Sequence, residues 1–308
     1  MLNEFAFWII FIIVAAAIII IDLFVTGNKE GVLSLKKSLI WSGIWISTAL
    51  IFCAGLYFFL EDGHHKSLEF ITGYLIEYSL SIDNLFVFLL IFKVMDVPKE
   101  HQPHVLKWGI LSAIVFRIVF IVLGVSLIKL FHPVIYIFGI VLLFAAYKMA
   151  FGGEQKIDYE KNPLIKVAKK YFNFLPEYHG MRFFTKKNGK IFATSLFLTL
   201  LLIESSDIVF AVDSIPAVIA ITRDEFIIIT SNIFAILGLR ALYFALSGIV
   251  DLFIYLKYGV AIILFFVGVK MLLSEFIHIP TNISLGVIIF LLAGSIILSL
   301  VHKKFKKK

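Results

Sequence analysis

The sequence predicts an all-α polytopic membrane protein, and two observations lead to that fold class. Of the 308 residues, 61% are hydrophobic and the mean hydropathy is +1.00, which is far above the range of a soluble domain. The hydrophobic residues are also gathered in long runs, which indicates helices that cross a bilayer. We therefore expect a single membrane domain over residues 1–308, with lipid as its surroundings.

Nine apolar runs are long enough to cross the hydrocarbon core of about 30 Å, which needs about 20 helical residues. These runs are residues 5–25, 39–60, 70–92, 108–130, 134–151, 191–221, 226–246, 258–273 and 283–300. No lysine or arginine precedes the first run, so we expect a retained span and no cleaved signal peptide. The one cysteine, Cys53, cannot form a disulfide within the chain.

The positive charges of the predicted loops define an orientation. The loops after the first, third, fifth and seventh spans, together with the C-terminal tail, contain 21 lysines and arginines. The opposite side contains three, which are Lys66, Lys129 and Arg223. The positive-inside rule then predicts that the N-terminus lies outside and the C-terminus in the cytoplasm. The same placement argues against nucleic acid as a partner, since no soluble domain is expected to bind it.

The longest predicted loop, residues 152–190, is basic and cytoplasmic. Asn162 is a plausible N-cap residue, and Pro163 is suited to the first helical position. Apolar residues then recur at helical spacing opposite lysines, namely Leu164, Val167, Ala168, Tyr171 and Leu175. This pattern predicts an amphipathic helix on the inner leaflet; an unstructured basic connector is the alternative.

Two of the apolar runs contain acids where charge is costly. One segment reads Glu77-Tyr-Ser-Leu-Ser-Ile-Asp83-Asn84, and the other contains Glu204, Asp207, Asp213 and Ser214 ahead of Pro216. An aspartate at the centre of a membrane helix costs roughly 2.5–3.5 kcal/mol. Five such acids in two segments therefore predict a functional site.

Residues 70–151 and 191–273 share landmarks in the same order, which predicts two inverted-topology repeats of three helices (spans 3–5 and 6–8). Each has an acidic motif, then an arginine (Arg117 or Arg240), then Lys-Met near a helix end. Two registers are open. In the first, which we prefer, Glu77 and Asp83 align with Asp207 and Asp213. In the second, Asp83 aligns with Asp207.

The candidate ligands at membrane depth are carboxylates, the Asn84 amide and serine hydroxyls such as that of Ser214, and no histidine is expected there. Oxygen ligands of this kind suit hard divalent cations such as Mn²⁺, Mg²⁺ or Ca²⁺. Six residues turn an ideal helix by about 600°, so Glu77 and Asp83 point about 120° apart. We therefore expect a helix break, and Pro216 favours one by freeing the carbonyl of Val212.

Arg117 and Arg240 are the candidate charge-compensating residues. A purely structural role, in which the five acids only pair with cations of the chain, is the alternative to an ion or proton pathway. Enzymatic activity is not indicated, because the sequence has no phosphate-binding glycine loop and no Gly-x-Gly-Asp segment typical of intramembrane aspartyl proteases.

The two acidic segments resemble those of the TerC family, in particular its long, Alx-type branch. The resemblance lies in Glu77-Tyr-Ser-Leu-Ser-Ile-Asp83-Asn84-Leu-Phe and in Glu204-Ser-Ser-Asp207-Ile-Val-Phe-Ala-Val-Asp213-Ser214-Ile-Pro216. It implies a bacterial inner-membrane protein of the LysE-like transporter superfamily, linked to manganese efflux and, by the family's name, to tellurium resistance. It also implies that Glu77, Asp83, Asp207 and Asp213 take part in metal handling.

We therefore hypothesise a secondary exporter of Mn²⁺ with a midplane carboxylate site, no permanently bound cofactor and possible coupling to protons. One alternative is a membrane scaffold or metal-delivery partner that transports nothing. Another is a transporter of a different divalent ion or of a tellurium-related anion, although surplus negative charge in the site argues against anions. Asp83 and Asp213 are the first candidates for ligands of the ion.

Overall fold

The computed structural model describes residues 3–22, 32–131, 133–151, 163–175, 178–187, 189–249, 255–273, 276–277 and 279–306, without the side chains of residues 83, 163, 213, 249 and 303–306. The helices are α1 (Glu4–Ile20), α2 (Leu35–Phe59), α3 (Gly63–Val94), α4 (Gln102–Leu130), α5 (Val134–Phe151), α6 (Pro163–Tyr171), α7 (Ser195–Ile219), α8 (Glu225–Ile236), α9 (Leu239–Ile249), α10 (Leu256–Leu272) and α11 (Thr281–Lys306). The strands are β1 (Asn173–Leu175), β2 (Phe184–Lys187) and β3 (Lys190–Thr194).

A helical polytopic membrane protein is confirmed, but nine spans are not. In the described part of the chain, α2, α3, α4, α5, α7 and α11 are long and apolar enough to cross a membrane. A seventh span results if α8 and α9, which meet at an angle of 43°, are counted together. Helices α1 and α10 coincide with the first and eighth predicted spans but have only 17 residues each.

The outer surface of the bundle is apolar, as a lipid environment requires. Large hydrophobic side chains on several helices are more than half exposed, for example Ile13, Ile51, Leu123 and Phe290. Inside, α3 packs against α7 and α8, α4 packs against α7, and α5 packs along α10. Small residues permit the close approaches: a Cβ at Gly139 of α5 would lie only 3.3 Å from the carbonyl oxygen of Gly268 in α10.

The basic loop and the first residues of the sixth predicted span together form a small sheet, which the all-α prediction missed. Strand β3 is central, parallel to β1 and antiparallel to β2. The sixth predicted span, 191–221, therefore begins with strand residues, and its helix begins only at Ser195. Phe184 packs against Phe197 of α7 at a ring distance of 4.6 Å, so contacts with the membrane helix stabilise strands too short to be recognised from sequence.

Helix α6 forms where the amphipathic pattern predicted a helix, but its apolar residues are divided. Ile165 and Ala168 are buried, whereas Val167 and Tyr171 are exposed. The helix packs against α7 and β1. A helix of only nine residues is stabilised mainly by tertiary contacts of this kind. The proposed N-cap residue, Asn162, lies outside the described residues.

The expected break at Pro216 does not occur. Helix α7 continues through the proline to Ile219, with Ala217 and Val218 fully buried in its last turn. Packing of that turn offsets the hydrogen bond that proline removes. The bend lies instead between α8 and α9, where Gly238 has φ +86° and an added Cβ would lie 2.4 Å from Trp45 Cδ1. Only glycine fits this backbone conformation and this close approach.

One end of the bundle, which we call the acidic end, brings together Glu4, Lys66, Lys129, Asp224 and Glu225. Lys66 Nζ lies 2.7 Å from Glu4 Oε2 and 2.8 Å from Asp224 Oδ2. Lys129 Nζ lies 2.5 Å from Glu225 Oε1. The start of α1, the α2–α3 turn and the α7–α8 turn therefore share one end of the molecule, as the predicted loop assignment requires.

Candidate functional site

The middle of α3 carries a stripe of buried polar residues. Glu77, Ser81 and Asn84 are four and seven residues apart, so they lie on one face of the helix. Glu77 and Ser81 are completely buried, and Asn84 is 5% exposed. Gly73, one turn before Glu77, allows α8 to approach, since an added Cβ would lie 3.0 Å from Ser231 Oγ. The stripe thus faces the interior of the bundle.

Arg117 of α4 is inserted at this stripe and is 1% exposed. Its Nη1 atom donates to Glu77 Oε1 and, at 2.7 Å, to Ser214 Oγ of α7. The same atom lies 3.5 Å from Asn232 Oδ1 of α8. Nη2 lies 3.9 Å from Asp207 Oδ1 of α7. One guanidinium therefore connects four helices, and the predicted charge-compensating role of Arg117 has a direct geometric basis.

Helix α7 supplies the second pair of acids. Glu204 and Asp207, three residues apart, lie on neighbouring turns of the same face, and both are buried. Glu204 Oε1 accepts a hydrogen bond from Ser112 Oγ of α4. Gly109 of α4 lies beside this segment of α7, where an added Cβ would be 3.3 Å from Ile203 Cγ2 and 3.8 Å from Glu204 Oε1. Glu204 is therefore next to the Arg117 centre but bound to a neutral partner.

Each of these three acids has a buried oxygen without a hydrogen-bond partner among the described residues. These atoms are Glu77 Oε2, Asp207 Oδ2 and Glu204 Oε2, and Ser81 Oγ and Arg117 Nε are in the same situation. Buried polar atoms are rarely left unpaired, since each costs about 1–3 kcal/mol. Three unpaired carboxylate oxygens in one region are suited to accept a cation or a proton.

Within the described residues, no group of three or more histidine, cysteine or acidic side chains is arranged to hold a metal ion. The guanidinium of Arg117 contacts both Glu77 and Asp207, so a cation of the chain already lies between these two carboxylates. The side chains of Asp83 and Asp213 are not among those described, although their backbones belong to α3 and α7. Their assignment as first ligands therefore stays a prediction.

Arg240 lies in α9, and its described contacts are with Asp22, which follows α1. Arg240 Nε is 3.3 Å from Asp22 Oδ2, and Nη2 donates to the backbone oxygen of the same residue. Both residues are buried. A buried acid outside the two acidic segments, which the sequence analysis did not consider, thus compensates the charge of the second arginine.

Three functional candidates were missed by sequence reasoning, namely Asp22, Ser112 and Asn232. Asp22 was visible as a lone charge near the end of the first apolar run. Asn232 ends the polar triplet Thr230-Ser231-Asn232 within the seventh run, and all three residues are completely buried. Ser112 carries no such signal, because serines facing their own helix backbone are common in membrane spans.

A small cavity of about 200 Å³ lies near the acidic end, lined among others by Glu69, Thr222 and Lys270. Glu69 lies two turns before Glu77 on α3 and is 3.3 Å from His65 Nε2. Lys270 Nζ donates to Ser284 Oγ at 2.9 Å, so its amine is held in the protein wall beside the cavity. Polar groups of α3 therefore continue from the centre toward this end.

The fold and the centre define a class: an integral membrane protein of several apolar helices with a buried cluster of carboxylates around one arginine. Within that class, the chain belongs to the TerC family of integral membrane proteins, whose family profile matches residues 62–307. The match includes both acidic segments and Arg117, whereas α1 and Asp22 precede it.

Several curated relatives match nearly the whole chain. An uncharacterized membrane protein of Myxococcus xanthus is 44% identical over 297 residues, which is 96% of this chain and 92% of the relative. The proteins named "Putative membrane-bound redox modulator Alx" include one from Escherichia coli (strain K12), 42% identical with 95% and 93% coverage. Another, from Photorhabdus laumondii, is 40% identical with 97% and 96% coverage. No solved structure matches the chain.

Proposed function

We propose that this TerC-family protein is a secondary transporter that exports divalent metal cations, with Mn²⁺ as the first candidate. The observation that carries the proposal is the pair Glu77 and Asp207. These acids come from α3 and α7, they face one guanidinium, and each has a buried carboxylate oxygen that no described residue hydrogen-bonds. Ionisable groups of this kind are costly in a membrane interior, and they typically mark the pathway of an ion.

The chemistry of the donors favours a hard cation. Carboxylates from Glu77, Asp207 and Glu204 lie with the Ser214 hydroxyl and the Asn232 amide oxygen in one buried region. Mn²⁺, Mg²⁺ and Ca²⁺ prefer such oxygen ligands, whereas zinc and copper usually recruit imidazole or thiolate. We propose that Asp83, Asn84 and Asp213 complete the ligand set during transport.

Two relations between helix contacts support an inverted repeat, on which alternating access would depend. If α3–α5 correspond to α7, α8–α9 and α10, a two-fold relation exchanges the α3–α8 contact with the α4–α7 contact. It also places α5 against α10, and both relations agree with the observed packing. The approach of Glu77 and Asp207 to one guanidinium favours the register in which these two acids correspond.

We further propose that transport is directed out of the cytoplasm. The predicted basic loops and the C-terminal tail, together called the basic end, would face the cytoplasm, and the acidic end would face outward. The 21 lysines and arginines of the basic end motivate this orientation in an inner membrane. Protons moving inward are a plausible driving force, because the unpaired oxygens could accept a proton after the metal leaves.

Flux measurements test this proposal. The purified full chain in proteoliposomes should move Mn²⁺ faster than protein-free vesicles, and a pH gradient should change the rate. Parallel assays with Mg²⁺, Ca²⁺ and Zn²⁺ would define selectivity. Asp207→Asn and Asp213→Asn should abolish flux, whereas Glu225→Gln, which alters an exposed acid, should not. Equal flux in wild type and Asp207→Asn would overturn the assignment of the site.

A second candidate function is that of a scaffold or metal-delivery partner that transports nothing. The folded module of α6 and the three-stranded sheet favours it, since this module exposes lysines and aromatic residues outside the bundle. The name of the Alx relatives adds redox modulation, but one cysteine cannot provide a dithiol within this chain. This alternative predicts co-purifying partners and no flux from the purified protein.

A further inference from the structure

We propose that Arg117 is a tethered competitor of the transported cation. In the substrate-free protein, its guanidinium occupies the position that a divalent ion takes during transport. The inference rests on the proposed function, because it describes how the same site is emptied and refilled. It adds that the ion enters by displacing a cation of the chain itself.

The contacts of Arg117 carry this inference. Its two terminal nitrogens face a glutamate, an aspartate, a serine hydroxyl and an asparagine side chain through oxygen atoms only. Two carboxylates, a hydroxyl and an amide oxygen are also what a hard divalent cation would require as ligands. The guanidinium and the ion would therefore compete for the two carboxylates, which cannot serve both at once.

The charge of the centre supports competition. Arg117 contributes one positive charge against the two carboxylates Glu77 and Asp207, so the described groups of the centre leave one negative charge in excess. A divalent ion would neutralise both carboxylates without the arginine. The protein thus has a cation available when the metal has left, which avoids two uncompensated acids in a buried region.

The neutral acceptors offer a place for the displaced guanidinium. Asn232 Nδ2 donates to the backbone oxygen of Ile228 at 2.8 Å, which turns Oδ1 toward Arg117. Asn232 is completely buried in α8. Arg117 can therefore give up the carboxylates and keep Asn232 as a hydrogen-bond partner. Its movement need only be local, because the side chain stays anchored on α4.

A competitor of this kind lowers the apparent affinity of the site and promotes release. If the guanidinium occupies the site nine-tenths of the time, the apparent dissociation constant for metal rises about tenfold. An exporter benefits, because an ion bound by several buried carboxylates would otherwise leave slowly. The return of Arg117 replaces the charge of the departing ion.

Equilibrium binding tests the inference directly. Mn²⁺ binding would be measured by calorimetry on the purified full chain in lipid nanodiscs, at one pH, for wild type, Arg117→Ala and Arg117→Lys. We expect Arg117→Ala to bind Mn²⁺ about tenfold more tightly while its flux slows. Arg117→Lys should tighten binding by a smaller factor than Arg117→Ala. Its ammonium ion is a weaker competitor than guanidinium because it lacks the planar fork of donors, but it keeps the positive charge.

Free guanidinium provides the matched control. Millimolar guanidinium chloride should weaken Mn²⁺ binding to Arg117→Ala and leave wild type unchanged, whereas sodium chloride at equal ionic strength should affect neither.

If Arg117→Ala does not fold, the binding affinity of Arg117→Lys decides alone. Variants that bind Mn²⁺ no more tightly than wild type would overturn the inference. A wild type that neither binds nor moves any divalent ion would instead overturn the proposed function.

Discussion

Oppositely charged side chains meet both in the buried centre and at the acidic end, and their surroundings differ sharply. In the centre, Glu77 and Arg117 are 0% and 1% exposed. At the acidic end, the side chains of Lys129 and Glu225 are 65% and 50% exposed. The same chemical pairing is therefore isolated from solvent in one region and screened by it in the other.

The difference teaches in which region the loss of one charge is costly. An exposed pair contributes little to stability and can be lost without consequence. A buried pair incurs a large desolvation penalty, and removal of one partner leaves an uncompensated charge. Within the described part of the chain, the carboxylates of the centre also have oxygens without a hydrogen-bond partner, which a structure optimised for stability alone would avoid. Four expected outcomes follow from this contrast.

The largest effect should follow from Glu77→Gln. This change removes the acid that accepts from Arg117 Nη1 and leaves Asp207, at 3.9 Å, as the one charged partner of the guanidinium among the described side chains. We therefore expect a loss of about 3–5 kcal/mol in the free energy of unfolding. Denaturant titration in detergent micelles, followed by circular dichroism, would measure it. A loss no larger than that of an acidic-end variant would contradict the contrast.

Replacing both partners should cost less than replacing one. In Glu77→Gln combined with Arg117→Met, the guanidinium is removed together with one of its acids, and Asp207, left without its cation, can become neutral by taking up a proton. The loss should therefore fall to about 1–2 kcal/mol. The same titration measures both variants. If the double variant is less stable than Glu77→Gln alone, the centre is held together by the pair itself and not by its charge balance.

A smaller effect is expected at Lys66, whose ammonium contacts both Glu4 and Asp224 and whose side chain is 20% exposed. Lys66→Met should cost about 1 kcal/mol or less. This loss should also shrink in high salt, because ions screen partly exposed pairs. Unfolding titrations of both variants at low and high salt would measure this. The loss of unfolding free energy in Glu77→Gln should be nearly the same at the two salt concentrations, because its pair is buried.

The smallest effect should come from Lys129→Gln. The exposed pair with Glu225 contributes at most about 0.5 kcal/mol, and Mn²⁺ flux should be unchanged. This variant serves as the negative control for the other three. A measurable drop in flux would show that the acidic end takes part in transport and would weaken the contrast between the two regions.

The hydrophobic pattern was sufficient for the class of fold and for much of the candidate site. Long apolar runs coincide with helices, and acids within them pointed to Glu77, Glu204 and Asp207 before any geometry was known. The count of spans was less accessible, because α1 and α10 are short and α8–α9 is bent at Gly238. The sheet was missed because strands of three to five residues carry almost no periodic signal.

By itself, the sequence determined that the chain is a helical membrane protein and that two of its helices carry acids where charge is costly. The tertiary structure decided which groups meet. It brought Glu77 and Asp207 to one arginine, added Ser112 and Asn232 from α4 and α8, and paired Arg240 with Asp22. Periodicity reports which residues share a helix face, whereas contacts between helices depend on packing of distant segments, which no local pattern encodes.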